Sequence, residues 1–567
     1  MADSKPKVGA PSGINPGKGA PTLDAATLTR IFWVLFAVCC VAMAIPIWIG
    51  PFPDWTDFGG HLQVVDAYVK FDENPLFQKY LERQTGFFEP NRLMVRFVDL
   101  LYPAVDTLPG LRLYSTLGVW GIAGSIVFAL RAFGRSKWLA FTAFPFIWGG
   151  AINMGAVNYI WAIALFFVGI GVARRAAIEG GHRWTGIIAV FGLFTYLQHA
   201  FGFMMTVASM LGIMILTVRT YKNLIPAAGL IPSALVFFPW MFGRLTKSSD
   251  YNTDFVQDVP VSMKLEWLYF GMFDVSYDGG ALVATIAAVI IWGAFVALSV
   301  QAKGATEGEE DAPSEGLERL RNLGCKHALT LLFAAFVIGY VVLPIFLVDV
   351  VFIRLMNPMF ILMMMLPTVQ IAALTETGKK AFIGLSAASV VMVLVLAATV
   401  TASVVEFQRV EIEPLTELIE KIPEKQRVFC VGVQDIDSYG EAYPIPSPLS
   451  FNCNGLIQYR TGGFAGGGFA FDGYNPVLLK RDAFPDSLIR FVKKDPSGAY
   501  WLDERWTRDP HLKVWDYIVE RGGSGARRRM RRLHSVRAPD DSLPWMNFTP
   551  TWALYQIKSR RPRARTP

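Results

Sequence analysis

Long apolar runs recur through most of this chain and restrict its fold more than any other feature. Runs of about 20 residues, such as residues 31–49, can cross the hydrocarbon core of a bilayer as a helix. Of the 567 residues, 53% are hydrophobic and only 17% are charged. Soluble proteins carry about 25% charged residues. The sequence therefore predicts a polytopic α-helical membrane protein.

The apolar lengths predict about eleven transmembrane helices. They lie near residues 31–50, 112–131, 137–154, 156–173, 184–198, 200–218, 223–243, 279–299, 326–348, 351–373 and 381–404. With the N-terminus in the cytoplasm, every short inner loop is basic and the outer loops are mostly acidic or mixed. This pattern places residues 51–111, 244–278 and the tail from residue 405 outside. A bacterial inner membrane with a periplasmic tail is the predicted location.

Three domains are predicted. Residues 1–29 are rich in Gly, Pro, Lys and Ala, and we expect a disordered cytoplasmic segment. Residues 30–404 form the transmembrane domain, which includes the long outer loop 51–111. Residues 405–567 form a periplasmic α/β or α+β domain. The net charge of +7 does not imply nucleic-acid binding, because membrane topology explains the basic inner loops equally well.

Several local patterns predict elements of this last domain. Residues 414–422 and 514–522 have helical character, whereas residues 428–433 and 552–558 are typical of strands. The glycine-rich stretch 461–474 predicts a loop, which could grip carbohydrate through Phe464, Phe469, Phe471 and Tyr474 or be a purely structural loop. Cys430 and Cys453 could form a disulfide if the domain lies outside the cytoplasm.

Two carboxylates and a histidine follow the first apolar run. Asp54, Asp57 and His61 lie within eight residues at a predicted membrane–water boundary. Asp57 and His61 are four residues apart and would share one face of a helix. A carboxylate in a partly apolar setting has a raised pKa and can act as a base. The residues alone leave a second interpretation open, in which Asp57 caps a helix that starts near Gly59.

These residues and three later motifs resemble the GT-C superfamily of membrane glycosyltransferases. More narrowly, they resemble a family of uncharacterised bacterial GT-C-like membrane proteins. Residues 57–62 (DFGGHL) resemble its D-x-x-x-H-L pattern, and residues 154–159 (MGAVNY) its G-F-x-N-[FY] element. Residues 196–199 (YLQH) resemble its S-H step, and Arg354 its R-[FY] step. The resemblance covers roughly residues 30–405.

Two positions depart from this family pattern. Gly59 stands where proline is usual, and Gln198 stands where serine is usual. The resemblance implies an inverting transferase that uses a polyprenyl-phosphate-linked sugar as donor. The acceptor would be a lipid-linked glycan, a polysaccharide or a protein.

The resemblance also implies roles for individual residues. Asp57 would be the catalytic base, assisted by Asp54 and His61, and the two aspartates would hold any divalent cation, Mg²⁺ or Mn²⁺. The leaving phosphate needs cationic or hydrogen-bonding partners. The candidates for the phosphate are Arg92, Arg96, His199 and Arg354, and those for the rest of the substrate are Asn158, Tyr159 and Gln198.

Other interpretations stay open from the sequence. Asn158 could close a turn, His199 could lie in an interfacial bend, and Arg354 could pair with Asp349. The chain could instead be a transporter or flippase of lipid-linked glycans, or a non-catalytic subunit that binds lipids and other envelope-assembly proteins. The predicted spans are almost free of charge, which favours chemistry at the outer interface over transport.

Overall fold

The computed structural model describes most of the membrane part and parts of the tail. The described residues are 25–53, 55, 57–86, 88–149, 152, 156–218, 220–247, 256–257, 260–273, 280–304, 317–344, 346–347, 350–369, 371–432, 448–466, 476–480, 515–521, 530–537 and 551–557. Asp54 and Asp349 lie outside these residues. So do residues 1–24 and 154–155, Phe469, Phe471 and Tyr474.

The described residues are mainly helical. In chain order the helices are α1 Ala25–Trp48, α2 Phe58–Val69, α3 Pro75–Tyr80, α4 Arg92–Leu101, α5 Thr107–Ala132, α6 Ala140–Ala143, α7 Val157–Glu179, α8 His182–Gln198, α9 Ala200–Thr217, α10 Ile231–Lys247, α11 Val261–Phe273, α12 Gly280–Gly304, α13 Leu317–Val342, α14 Met356–Met364, α15 Glu376–Phe407, α16 Glu413–Ile419 and α17 Pro448–Thr461. A π-helix, Gln408–Ile412, joins α15 to α16. Helix α16 confirms the helix predicted at the start of the tail.

The strands are short and lie in three sheets. In chain order they are β1 Leu81–Arg83, β2 Val256–Gln257, β3 Phe346–Leu347, β4 Val350–Val351, β5 Arg427–Gly432, β6 Phe464–Gly466, β7 Val477–Leu479, β8 Tyr517–Arg521, β9 Met530–Arg537 and β10 Thr551–Ile557. The largest sheet has the order β6-β5-β8-β10-β9, parallel across its first three strands and antiparallel across the rest. The tail thus contains a mixed sheet with helices, which agrees with the predicted fold class.

Within the described residues, seven helices are long and apolar enough to cross a membrane. They are Ala26–Trp48, Thr107–Ala132, Val157–Glu179, Ala200–Thr217, Lys222–Gly243, Leu282–Gln301 and Glu376–Ile419. The predicted span 137–154 is instead a series of short pieces: two 3₁₀ turns on either side of α6. Pro145 lies in the second turn, and a proline interrupts the hydrogen-bond ladder that a continuous helix needs.

Polar side chains cap two of the helices in and after the long loop. Asn74 accepts a hydrogen bond from the Leu76 amide at the start of α3 (3.0 Å), and Asp106 accepts one from the Thr107 amide at the start of α5 (2.7 Å). These bonds satisfy amide groups that the first helical turn leaves without a partner. They fix where α3 and α5 begin, and hence the path of the chain between α2 and α5.

The sheet of the tail corrects one local prediction. Residues 514–522 were expected to be helical, but β8 occupies Tyr517–Arg521 at the centre of the sheet. Ile518 and Val519 are fully buried there, and β-branched side chains pack well on a pleated surface. The strands predicted near residues 428–433 and 552–558 are confirmed as β5 and β10.

The tail packs directly on the long loop between α1 and α5. Helix α17 lies against α2, and β1 pairs with β7 in a two-stranded antiparallel sheet. Phe464 is buried between Tyr80 (ring centres 4.9 Å apart) and Trp515 (5.8 Å). Phe464 therefore serves this interface and is not available to stack on carbohydrate. Cys430 and Cys453, whose pairing the sequence left open, form a disulfide.

Candidate functional site

Asp57 occupies the N-cap position of α2, but its carboxylate does not cap the helix. The side chain makes no capping hydrogen bond, whereas the Asp57 carbonyl accepts one from the His61 amide at 3.0 Å. The capping interpretation is therefore wrong for the side chain. Capping carboxylates usually bind the N2 or N3 amide, so the Asp57 carboxylate is left to interact with something else.

The surroundings of Asp57 and His61 change the proton affinity of both side chains. Burial raises the pKa of Asp57 to about 6, although the Arg354 guanidinium opposes this shift. Burial lowers the pKa of His61 to about 3, and Arg354 lowers it further. Both residues nevertheless keep some accessible surface. At neutral pH a largely ionised carboxylate and a neutral imidazole thus lie close to one arginine.

His199 lies at the break between α8 and α9. Its backbone is extended (φ −166°, ψ 122°), which ends α8 and starts α9. Its Nδ1 accepts a hydrogen bond from the Gly202 amide at 3.1 Å, so the imidazole acts as the N-cap of α9. A nitrogen that accepts carries no proton, and the proton of the ring is therefore on Nε2.

Arg354 approaches this protonated nitrogen. Its Nη1 lies 3.3 Å from His199 Nε2. Both groups are donors in this tautomer, because a guanidinium has no acceptor atom. They cannot satisfy each other, and the buried Arg354 Nε has no hydrogen-bond partner either. Donors that converge in this way suit an acceptor with several lone pairs, such as a phosphate oxygen.

Tyr159 holds Arg354 and His199 in place. Its hydroxyl donates to the Arg354 carbonyl at 2.5 Å, and the Arg354 guanidinium lies 5.5 Å from its ring centre. The same ring contacts the His199 imidazole edge-to-face, with centres 5.4 Å apart. Tyr159 is fully buried in the first turn of α7. Tyr159 thus contacts both donors, Arg354 and His199, and fixes their positions.

Gln198 and Asn158 form hydrogen bonds that connect the helices next to His199. The Gln198 amide donates to the Asn158 carbonyl (3.0 Å), and its Oε1 accepts from the Tyr114 hydroxyl (2.7 Å). The side-chain Oδ1 of Asn158 is buried and makes no hydrogen bond in the structure. Gln198 therefore links α5 to α7, while Asn158 keeps one buried acceptor that a ligand hydroxyl could use.

Arg92 and Arg96 lie in a separate group. Arg92 pairs with Glu89 and donates to the Gln84 carbonyl at 3.4 Å, and burial lowers its pKa to about 10. Arg96 lies 3.8 Å from an Asp99 carboxylate oxygen, and its guanidinium lies over the ring of Tyr68. No described contact joins either arginine to Arg354. Arg92 is already paired with a carboxylate and Arg96 lies near one, so both are weaker candidates for a phosphate than Arg354.

The described residues offer no complete metal site. No group of three or more His, Cys, Asp or Glu side chains gathers as metal ligands would within them. Asp54, the expected partner of Asp57 in such a site, lies outside the described residues. The divalent cation stays a prediction.

Comparison with known proteins finds similar solved structures. No family model matches the chain, and no curated protein matches it. The chain is similar to two structures of ArnT from Cupriavidus metallidurans, one bound to undecaprenyl phosphate and one in the apo state. Both have a TM-score of 0.49, with 11% and 10% sequence identity, and each alignment covers 94% of this chain and 98% of that chain.

Proposed function

We propose that this protein is an inverting glycosyltransferase of the outer face of the inner membrane. It transfers a sugar from a polyprenyl-phosphate carrier to a hydroxyl of a lipid-linked glycan, a polysaccharide or a protein. The observation that carries this proposal is the pair of unmatched donors, Arg354 and His199 Nε2, with the Asp57 carboxylate near enough for the charge of Arg354 to lower its pKa. A phosphate site next to a raised-pKa carboxylate is what transfer from a sugar phosphate needs.

The reaction requires a base on one side of the anomeric carbon and stabilisation of the leaving group on the other. Asp57 removes the proton of the acceptor hydroxyl as that oxygen bonds to the anomeric carbon. The bond from that carbon to the phosphate oxygen breaks, and the carrier leaves as polyprenyl phosphate with one more negative charge. Arg354 and His199 donate hydrogen bonds to this oxygen, and their effect is greatest as the charge develops. One direct displacement inverts the configuration.

The pKa of Asp57 suits the role of base near neutral pH. A pKa of about 6 leaves the carboxylate mostly ionised at pH 7 and more basic than an exposed aspartate. His61 stays neutral at that pH, because its pKa lies near 3. A neutral imidazole four residues from Asp57 can orient the acceptor hydroxyl through a hydrogen bond without competing for its proton.

Donor turnover tests the proposal. Wild type, Asp57→Asn and the control Asp72→Asn are purified in nanodiscs, incubated with a panel of polyprenyl-phosphate sugars and an envelope-lipid acceptor, and assayed for released polyprenyl phosphate. Asp72 is an exposed carboxylate of the same loop that pairs with Arg83 at 2.8 Å. We expect Asp57→Asn to lose about 10²- to 10⁴-fold in rate, the usual contribution of a general base. Asp72→Asn should match wild type.

Two further measurements sharpen this experiment. Binding of undecaprenyl phosphate to Asp57→Asn should stay near wild type, which separates loss of chemistry from loss of folding. The anomeric configuration of the product, read by NMR, should be opposite to that of the donor. Turnover of no donor by wild type, or equal turnover by Asp57→Asn, would contradict the proposal and favour a transport or scaffold role.

A further inference from the structure

Helix α17 of the tail touches the backbone of α2 beside Asp57. A Cβ atom on Gly455 would lie 1.9 Å from the Gly59 carbonyl oxygen and 3.0 Å from its Cα. Gly59 is the second residue of α2 and follows Asp57 by two positions. The two helices therefore meet backbone to backbone, at the position where the sequence departs from the family's proline. Only a residue without a side chain fits at position 455.

Directional hydrogen bonds fix the register of this contact. The Gln63 amide donates to the Ala465 carbonyl at 2.6 Å, and the Gln458 amide donates to the Gln63 carbonyl at 2.9 Å. Gln63 and Gln458 are both buried. Breaking such a bond leaves a buried polar group unsatisfied, which costs about 1–3 kcal/mol. The glycine contact thus sets the distance between α2 and the tail, and these hydrogen bonds prevent α2 from sliding along its axis.

Helix α17 is itself fastened to the central sheet. The disulfide joins Cys453 of α17 to Cys430 of β5, and the Cys430 amide donates to Asn454 Oδ1 at 3.1 Å. The sheet in turn is tied to the end of the last membrane helix, where Trp552 Nε1 donates to Glu411 Oε2 at 3.2 Å. A continuous chain of contacts therefore runs from the membrane helix through the sheet and α17 to α2.

We propose that α17 of the tail positions the Asp57 carboxylate, with Gly455 as the positioning residue and the Cys430–Cys453 disulfide holding α17 in place. Asp57 has no capping hydrogen bond of its own, so the backbone of α2 decides where its carboxylate lies. That backbone rests on Gly455. The catalytic part of this inference rests on the proposed function, whereas the placement of the carboxylate does not.

Adding one methyl group at position 455 tests the contact between Gly455 and Gly59. Gly455→Ala adds a Cβ that overlaps the backbone of Gly59, and because the obstacle is backbone, one helix must shift. Gly384→Ala in α15 is the matched control, since a Cβ there meets nothing within 4 Å. A shift of about 1 Å in a catalytic group can cost about 100-fold in rate. We expect Gly455→Ala to lose 10- to 100-fold in turnover while undecaprenyl phosphate binds within about threefold of wild type.

Two readouts do not depend on turnover. The titration of the Asp57 carboxyl can be followed by difference infrared spectroscopy against Asp57→Asn, and hydrogen exchange reports the protection of the α2 amides. We expect Gly455→Ala to shift the titration and lower the protection, and Gly384→Ala to change neither. The same titration and protection in Gly455→Ala as in wild type would overturn the inference. If wild type turns over no donor, the proposed function fails, and these two readouts still decide the positioning.

A second variant covers the case in which Gly455→Ala does not fold. The double substitution Cys430→Ser/Cys453→Ser removes the covalent link between α17 and β5 and leaves the glycine contact intact. It should lower the protection of α2 and shift the Asp57 titration in the same direction, by a smaller amount. An unchanged titration in a double variant whose α2 amides have lost protection would show that α17 does not set the position of Asp57.

Discussion

The backbone amide of Gly202 donates to Nδ1 of His199 at 3.1 Å, and this bond fixes which nitrogen of the ring faces Arg354 as a donor. With Nδ1 used as an acceptor, Nε2 must carry the proton of the neutral ring. The start of α9 thus determines the chemistry of the site. One histidine thus serves both as the N-cap of α9 and as one of the two neighbouring donors on which the proposed phosphate site depends.

His199→Asn should separate these two roles. Asparagine is a good N-cap residue, and its Oδ1 can accept from the Gly202 amide as Nδ1 does. It lacks an Nε2 donor that reaches the position beside Arg354. We expect thermal stability within about 0.5 kcal/mol of wild type, and undecaprenyl phosphate affinity about 10-fold lower, as for the loss of one hydrogen bond to a charged group. Calorimetry on the purified protein measures the affinity.

His199→Ala is the control for the cap. It removes the acceptor as well as the donor, so it should lose about 1 kcal/mol of stability in addition to the affinity. Equal stability of the Ala and Asn variants would show that the cap contributes nothing. Full affinity in His199→Asn would show that the ligand does not use Nε2.

Variants of Arg354 and Arg96 distinguish between two candidate phosphate sites. Arg354→Gln removes the only charge of the unmatched pair and should weaken undecaprenyl phosphate about 10- to 100-fold, since charge-assisted hydrogen bonds contribute about 1.5–3 kcal/mol. Arg96 already lies near a carboxylate of Asp99, so Arg96→Gln should leave the affinity within about twofold. Binding measured at two salt concentrations checks both. A larger loss in Arg96→Gln would move the phosphate site to α4.

Local patterns in the sequence singled out the candidate site residues, but not the contacts that hold them in place. The spacing of Asp57 and His61 on one helix, and the break at His199, follow from neighbouring residues and were visible in the sequence. The contact of Gly59 with Gly455 joins residues 396 positions apart, which no local period reveals. Strand β8 was mistaken for a helix because its short apolar run fits both periods, and burial between β5 and β10 decided the outcome.

Ionised Asp57 should lower the free energy of unfolding at neutral pH. Its pKa in the folded state, about 6, lies above the value of about 3.9 in an unfolded chain. The folded state therefore binds the proton more tightly, and ionisation of Asp57 destabilises the fold as pH rises above about 4. We expect Asp57→Asn to melt at a higher temperature than wild type at pH 7–8. The gain should disappear near pH 4, where both side chains are neutral.

The same pKa predicts the acidic limb of the rate profile. Below about pH 6, kcat/KM should fall about tenfold per pH unit as Asp57 becomes protonated. His61→Asn should keep this limb, because the pKa of His61 lies near 3 and its ring does not titrate in this range. A limb that follows His61 instead would assign the titrating base to the histidine.

Lys70 joins the long loop to the tail through a small charged network. Its Nζ lies 2.8 Å from Asp66 and 3.2 Å from Asp106, and 5.0 Å from the ring centre of Tyr459. The Asp66 side chain is almost fully buried (2% exposed), and besides this ion pair it accepts hydrogen bonds from Thr107 Oγ1 (2.9 Å) and Gln458 Nε2 (3.4 Å). Burial by itself lowers the pKa of Lys70, but the two aspartates outweigh it and raise the pKa. Lys70 therefore stays charged at neutral pH.

Lys70→Met should destabilise the protein by about 3–5 kcal/mol, because it leaves the buried Asp66 carboxylate without its cationic partner. Asp66→Asn in the same chain removes that charge, so the double variant should lose clearly less than the sum of the two single losses. Thermal unfolding of the full-length protein in nanodiscs, followed by tryptophan fluorescence, provides the comparison. Lys79→Met is the control. Lys79 is an exposed lysine of α3, and its ammonium lies 5.1 Å from the ring centre of Tyr80. Additive losses at Lys70 and Asp66 would show that the two side chains are not energetically coupled, so that apolar packing and the buried hydrogen bonds of Gln63 and Gln458 hold the tail on the loop without this ion pair.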